Sequence, residues 1–356
     1  MKVLYINENR HERVLRAVAN PENENIFIIP KELDSLEGNQ YLNTSFRKIY
    51  PNHQFNLFYR YMLARDIQKI AEIEKPDIIH YVSADDYLRL FGFSLGLLSR
   101  YNFIVTLHWC RHTKLRDIAR NQICKKAKGI IFHVKNAPVC KNKHGEIKSE
   151  FLVLPPENNG PIYSKEDARQ KLGIIADREV IAFVGSMEEY KGIEVLMESI
   201  KYINKPITLL LAGKPGKYTK QYFESYAFNP NVDIQTTLRY LSDDEFTQFT
   251  CAADYIVLPY KKAFEATSGA MTEAIRCGIP IIAPNHENLG ILTKDYKLGY
   301  TFESENPESL ATAINQASKV FKKSESYLEY QSRMSVVSYR NSQQEFYKKI
   351  IQNFGI

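Results

Sequence analysis

The sequence predicts an α/β protein of two domains, each a parallel sheet with helices on both faces. Three observations point there. Short apolar runs alternate with stretches of helical periodicity, this rhythm occurs twice, and the densest Pro/Gly/Asn segment, Leu154-Pro-Pro-Glu-Asn-Asn-Gly-Pro161, separates the two runs. A chain of 356 residues is long enough for two separate cores.

In the first half the apolar runs at 2–6, 26–29, 77–82, 103–107 and 129–134 read as strands. The segments 57–73 and 87–99 between them read as amphipathic helices. The second half repeats the pattern, with strands at 180–184, 207–212, 232–235, 255–258 and 279–283. Ser164, with Asp167 three residues on, starts a helix after the join, and Ser242-Asp-Asp-Glu245 is a capping-box sequence. The segment 343–353 reads as a helix with Phe346, Tyr347 and Ile350 on one face. Two such units imply two Rossmann-like domains, over 1–158 and 159–340, with 341–356 as a C-terminal helix expected to pack back on the first domain.

Composition narrows the function classes. The chain is 44% hydrophobic and 25% charged, which is globular rather than disordered. No apolar run approaches the roughly eighteen residues of a membrane span. The N-terminus turns charged after one short strand, unlike a signal peptide. The five cysteines, 110, 124, 140, 251 and 277, are odd in number and lack CxxC spacing, which favours a reducing cytoplasm over disulfides or structural zinc. Between Arg100 and Lys148 the sequence is strongly basic. Leu115, Ile118, Ala119, Ile123 and Ala127 recur there at helical spacing, so a packed apolar face and an outward basic face are expected. Such a face suits anionic lipid headgroups or a pyrophosphate-bearing acceptor, while no motif directs it to nucleic acid.

The chemistry concentrates in Glu265-Ala-Thr-Ser-Gly-Ala-Met-Thr-Glu273. Ser268 is a good N-cap and Gly269 leaves the backbone open, so a helix should begin there with its free N–H groups presented to a phosphate. Glu265 precedes that helix and Glu273 lies just over one turn inside it. The two carboxylates are therefore placed to grip opposite ends of an extended ligand rather than to act as an acid/base pair. Lys191-Gly192 follows a strand and opens a helix whose Ile193, Leu196, Met197 and Ile200 face inward, which puts Lys191 at the sheet's carboxyl edge.

These motifs, in order, resemble the GT-B-fold glycosyltransferases, most closely the retaining enzymes of glycosyltransferase family 4. The resemblance runs from Phe183-Val-Gly185-Ser186 and Lys191-Gly192, through Leu210-Leu-Ala-Gly213, to Ala253-Asp254-Tyr-Ile-Val-Leu-Pro259-Tyr260 and the Glu265/Glu273 segment. The first half is similar more weakly, at Pro76-Asp-Ile-Ile-His80 and Val105-Thr-Leu-His108.

The resemblance implies two Rossmann-like domains facing each other across a cleft, with the nucleotide sugar held by the second. Lys191 would bind the donor diphosphate, Glu273 the ribose hydroxyls and Glu265 the hydroxyls of the transferred sugar. Thr267, Ser268 and Gly269 would offer backbone N–H groups, and His108 would act beside the sugar. Gly185, Ser186, Lys214, Tyr240 and Leu241 complete the expected donor site. Where the family commonly carries Arg after the first glycine this chain has Ser186, and Lys214 or Arg239 is expected to supply the missing charge. The glycine also falls one place later than usual after Glu265, and Asn7-Glu-Asn-Arg-His-Glu lacks the glycine-rich loop of many relatives.

The expected activity is retaining transfer of a sugar from a nucleotide donor, UDP first among the candidates. The acceptor would be a lipid-linked or polysaccharide precursor at the inner membrane face, and no metal or other cofactor is required. Two alternatives share the fold: a non-catalytic accessory subunit of a glycosyltransferase complex, which Ser186 keeps open, and a nucleotide-sugar epimerase. Asp85-Asp86 and Asp243-Asp244 are read as helix starts rather than metal ligands.

Overall fold

The computed structural model describes residues 1–7, 12–30, 40–44, 57–85, 95–108, 113–133, 141–142, 145–146, 162–174, 177–318 and 320–355. The chain forms two compact units, Met1–Glu157 together with Ser335–Ile356, and Asn158–Met334.

In the first unit the chain runs β1 (Lys2–Ile6), α1 (Glu12–Val18), β2 (Glu24–Pro30), β3 (Gln40–Thr44), α2 (Leu57–Glu74), β4 (Ile78–Tyr81), β5 (Phe103–Leu107), α3 (Lys114–Lys126) and β6 (Gly129–Phe132). A two-residue hairpin, β7 (Lys141–Asn142) with β8 (Gly145–Glu146), follows. The six long strands form one sheet in the order β3-β2-β1-β4-β5-β6, and each pairing is parallel.

Side-chain alternation along the strands divides the core. Leu4, Ile6, Ile26 and Ile28 point to the face covered by Leu63, Ile67 and Ala71 of α2 and Ala119 and Ile123 of α3. Val3, Tyr5, Phe27 and Ile29 point to the other face, with Leu15 and Val18 of α1. The chain's last helix, Val336–Phe354, completes that second face with Tyr339, Phe346, Tyr347 and Ile350. It brings a polar chain into the core: Tyr347 Oη lies 2.6 Å from His80 Nδ1, and Thr106 Oγ1 lies 2.7 Å from His80 Nε2. Burial pushes the His80 imidazole down to about 3, so it sits neutral and can donate from one nitrogen while accepting at the other.

The second unit runs α4 (Lys165–Leu172), β9 (Glu179–Val184), α5 (Ile193–Ser199), β10 (Ile207–Ala212), α6 (Lys220–Glu224), β11 (Val232–Thr237), α7 (Asp243–Ala252), β12 (Tyr255–Val257), α8 (Gly269–Cys277), β13 (Ile281–Pro284), α9 (Glu287–Asp295), β14 (Gly299–Phe302), α10 (Pro307–Gln316) and α11 (Glu325–Arg333). The last helix of the chain is then α12. The sheet order is β11-β10-β9-β12-β13-β14, again wholly parallel, so both units are doubly wound with the same topology. Asp254, ahead of β12, fixes the start of this unit by accepting from Arg169 and from the Val180 amide, each at 2.8 Å, and by pairing with Lys165. Both predicted caps form. Ser164 Oγ accepts from the Asp167 amide at 3.0 Å, and Ser242 and Glu245 make a reciprocal capping box at α7.

One expected face is corrected. In α3 the buried stripe is Ala119, Arg120, Ile123 and Cys124, whereas Leu115 is 64% and Ile118 50% exposed. At about 100° per residue Ile118 falls opposite that stripe and Leu115 at its margin. Arg120, expected on the outward basic face, is buried and paired with Asp117. Arg100 pairs with Glu72. Residues 111, 135, 143 and 148 of the basic stretch lie outside the described residues, as do most of the expected helix 87–99 and the segment 154–161. Of the former, Leu95–Leu98 forms a single 3-10 turn. Among the described residues no helix is long and apolar enough to cross a membrane.

Candidate functional site

In a sheet of this order the chain winds outward in opposite directions from its two central strands, here β9 and β12, leaving a crevice beyond their carboxyl ends. The loops that leave those ends carry most of the residues singled out above.

The loop after β9 begins at Gly185, whose φ of 133° favours glycine, and closes in one 3-10 turn, Glu189–Lys191. A Cβ on Gly213, at the end of β10 with φ 141°, would stand 2.0 Å from the Gly185 carbonyl oxygen, and one on Gly192 would stand 2.0 Å from that of Pro259. The three loops after β9, β10 and β12 therefore touch backbone to backbone. Met187 N donates to Lys214 O at 2.8 Å, and Lys261 N to Tyr190 O at 2.9 Å.

That contact fixes Lys191. Its Nζ lies 3.4 Å from Ser186 Oγ and 5.8 Å from the centre of the Tyr260 ring. It forms no salt bridge among the described residues. Burial pushes its pKa below the usual lysine range, while Tyr190 and Glu188 pull it back up. A half-buried cation outside any salt bridge suits an anionic ligand.

The second receptor is the start of α8. Ser268 caps it, its Oγ accepting from the Met271 amide at 3.3 Å, and Thr272 Oγ1 donates to the Ser268 carbonyl at 2.7 Å. A Cβ at Gly269 would meet nothing within 4 Å, so the helix N-terminus opens to space. Thr267 is half-buried, and Glu265 has a carboxylate oxygen, Oε2, that is buried without a hydrogen-bond partner among the described residues. Such an acceptor calls for a donor from a ligand.

Glu273 is differently placed from Glu265. It is 2% exposed, Thr247 Oγ1 donates to its Oε1 at 2.6 Å, and Arg276 clamps both its oxygens. Neither Thr247 nor Arg276 was anticipated, although the i,i+3 spacing of Glu273 and Arg276 is a legible signal for a helical ion pair. Arg239, expected to reach a phosphate, instead forms a fork with Glu245, with Nη1 at 3.0 Å from Oε2. Lys214 is exposed and makes no ion pair among the described residues. Tyr240 is 78% exposed at the end of the β11 loop, whereas the Leu241 side chain is buried and offers a ligand only its backbone.

His108 belongs to the first unit. Its Nε2 donates to the Val82 carbonyl at 2.9 Å, its amide donates to Asp85, and its ring tilts against His133 with centroids 4.7 Å apart. Nδ1 is then the lone-pair nitrogen of the neutral ring. Asp85 thereby accepts from the backbone at the end of β5. Among the described residues no group of three or more His, Cys, Asp or Glu could hold a metal ion.

Residues 164–334 match the family described as glycosyl transferases group 1. A D-inositol 3-phosphate glycosyltransferase of Corynebacterium urealyticum is 27% identical over 225 residues, 58% of this chain and 52% of that one. The chain spans about half the length of the curated relatives it matches. Among solved structures, a glycosyltransferase from Rickettsia africae superposes with a TM-score of 0.73 at 17% identity, covering 99% of this chain and 98% of the other. Anabaena HepE in complex with UDP superposes with a TM-score of 0.67 at 16% identity, covering 98% of this chain and all of that one (100%).

Proposed function

We propose that this chain, a GT-B protein of the group 1 glycosyltransferases, moves a sugar from a nucleotide-sugar donor to an acceptor, with retention of configuration in the manner of family 4. The observation that carries the reading is Lys191: a cation partly withdrawn from water, in no salt bridge among the described residues, at the switch point of the sheet.

As the glycosidic bond breaks, positive charge grows on the sugar and negative charge on the departing diphosphate. Lys191 and the α8 N-terminus receive that negative charge, the pre-organised stabilisation that contributes most when water is excluded. Ser186 and Lys214 border the same site, and Gly185 lets the ligand approach the backbone. Glu265 takes a hydroxyl of the transferred sugar at its unpartnered oxygen. Glu273 takes the ribose with the one lone pair of Oε2 that Arg276 leaves open, Oε1 being occupied by Thr247, Arg276 and Cys277. Tyr240 offers an exposed ring, and Leu241 its backbone, to the base. The positive charge for the leaving group comes from the protein, so the reading needs no metal.

UDP is the first donor nucleotide to test, supported by the UDP complex of Anabaena HepE. A lipid-linked or polysaccharide precursor is the proposed acceptor, reached at the inner membrane face through Lys114, Lys125 and the exposed Leu115 and Ile118 of α3. The relatives named for D-inositol 3-phosphate add a phosphorylated cyclitol to the acceptors worth assaying.

The test is a thermal-stability screen against UDP, GDP, ADP and CMP, run on the wild type, Lys191→Ala and Glu273→Ala. A ligand at 100 times its Kd stabilises the native state by about 2.7 kcal/mol. One nucleotide should raise the melting temperature of the wild type alone. If none does, the transferase reading fails and a non-catalytic subunit takes its place.

A further inference from the structure

We infer that Tyr260 is a positioning residue that sets the spacing between Lys191 and the N-terminus of α8, its ring steadying the ammonium and its hydroxyl holding the helix cap. The inference rests on the donor-site reading above, since it assigns one side chain to both groups that would receive a diphosphate.

Tyr260 is 1% exposed, and its hydroxyl lies 3.1 Å from Ser268 Oγ, the cap of α8. A buried tyrosine hydroxyl needs a polar partner, and here that partner begins the helix. The ring lies within the roughly 6 Å over which a cation is drawn to an aromatic face. Phe264 meets the ring edge-on at a centroid distance of 4.8 Å, and Tyr190 stacks on Phe264 at 5.5 Å with an interplanar angle of 9°. Ser304 Oγ donates to the Tyr260 carbonyl at 3.2 Å, fixing the backbone. Tyr260 is thus held on several sides and in turn holds two groups from different loops. A leucine would fill the volume and serve neither.

The charged and titratable groups facing Lys191 are Glu188 and Tyr190 from its own loop, together with the Tyr260 ring from the loop after β12. The ring favours the charged ammonium, so its removal should lower the pH at which Lys191 deprotonates and anion binding is lost.

The probe is inorganic pyrophosphate, which reports the diphosphate site whatever base the donor carries, titrated calorimetrically from pH 7 upward. Tyr260→Leu should weaken binding about five- to tenfold beyond the effect of Tyr260→Phe near neutral pH, the added loss of a partly desolvated cation–π contact. It should also move the alkaline loss of binding to lower pH. Tyr260→Phe keeps the ring, so it should leave that pH limb in place and weaken binding about threefold to fivefold through the lost hydroxyl contact. Unchanged affinity and an unchanged limb in a folded Tyr260→Leu overturn the inference. Should the leucine variant fail to fold, Tyr260→Phe decides, and a loss below about twofold overturns it. The donor-site reading fails separately, if wild type does not bind pyrophosphate or if Lys191→Ala binds as well as wild type.

Discussion

The two sheets share one strand order, yet their carboxyl ends treat polar groups in opposite ways. In the first unit His80 is closed in by Tyr347 and Thr106, and His108 is tied to Val82 and Asp85. In the second, Lys191 feels Glu188 but forms no salt bridge, and Glu265 keeps a buried oxygen without a donor, among the described residues. Satisfied polar groups hold a core together, while unsatisfied ones at a switch point wait for a ligand. The same topology therefore supports a structural network in one unit and, in the other, the site proposed for the donor.

The largest expected effect lies inside the second unit itself, where Glu273 and Arg276 form a buried pair. Arg276→Leu strips Glu273 of its partner and should cost about 3–5 kcal/mol. Urea unfolding should show it as a lowered midpoint, and a loss under about 1 kcal/mol would mean that Glu273 is not held as described.

Lys191→Ala sharpens the contrast from the functional side. Transfer from the donor that the nucleotide screen selects should fall in kcat/KM by about 10²–10³, the usual effect of removing one leaving-charge stabiliser. The melting temperature should hold or rise, because a partly desolvated cation outside any salt bridge is removed. A melting temperature that falls with intact activity would make Lys191 structural and erase the distinction between the two units.

His80 should behave in the reverse sense. Its folded pKa is depressed to about 3, so between its ordinary value and about 3 the unfolded chain takes up a proton that the folded chain refuses. The stabilisation is complete above the ordinary histidine pKa and is lost as the pH falls through that window. Comparing urea midpoints at neutral and acid pH, His80→Gln should flatten the decline while leaving nucleotide binding by the second unit unchanged. A decline as steep as that of wild type would assign the acid sensitivity elsewhere.

The smallest effect belongs to Glu245, whose carboxyl is held down to about 2, first by Arg239 and then by the Ser242 amide. Its contribution is present above the ordinary carboxylate range and lost as the pH falls towards about 2. The pair is solvent-exposed, so Glu245→Gln should cost under about 1 kcal/mol, and 0.5 M salt should remove much of the difference.

What the sequence disclosed follows burial. Every strand buried on both faces announced itself as an apolar run, with boundaries off by one or two residues. Of the sheet strands it concealed β3 and β14, each at one edge of a sheet whose other edge strand, β6 or β11, it disclosed. Gln40-Tyr-Leu-Asn-Thr44 and Gly299-Tyr-Thr-Phe302 mix polar with apolar residues, and only Phe302 of β14 is buried, whereas β6 is buried along its whole length and reads as an apolar run. At the site, Lys191, Glu265 and Ser268 were legible because glycines, a cap and strand ends locate them along the chain. Tyr260 was hidden, since its role arises from two loops that meet only when β9 and β12 lie side by side. Leu115 and Ile118 misled for a related reason: helical spacing defines a stripe but not which part of it the sheet covers.

The membership of α12 in the first unit bears on how the protein is made. Its side chains complete one face of the first sheet and close the contacts of His80, yet they follow the whole second unit in the sequence. A ribosome adding about 5–20 residues per second delivers the second unit in full before it delivers this helix. The first unit to be synthesised is therefore the last to be finished. Until then the face of Val3, Tyr5 and Ile78 lacks the part of its cover that Tyr339, Phe346, Tyr347 and Ile350 supply.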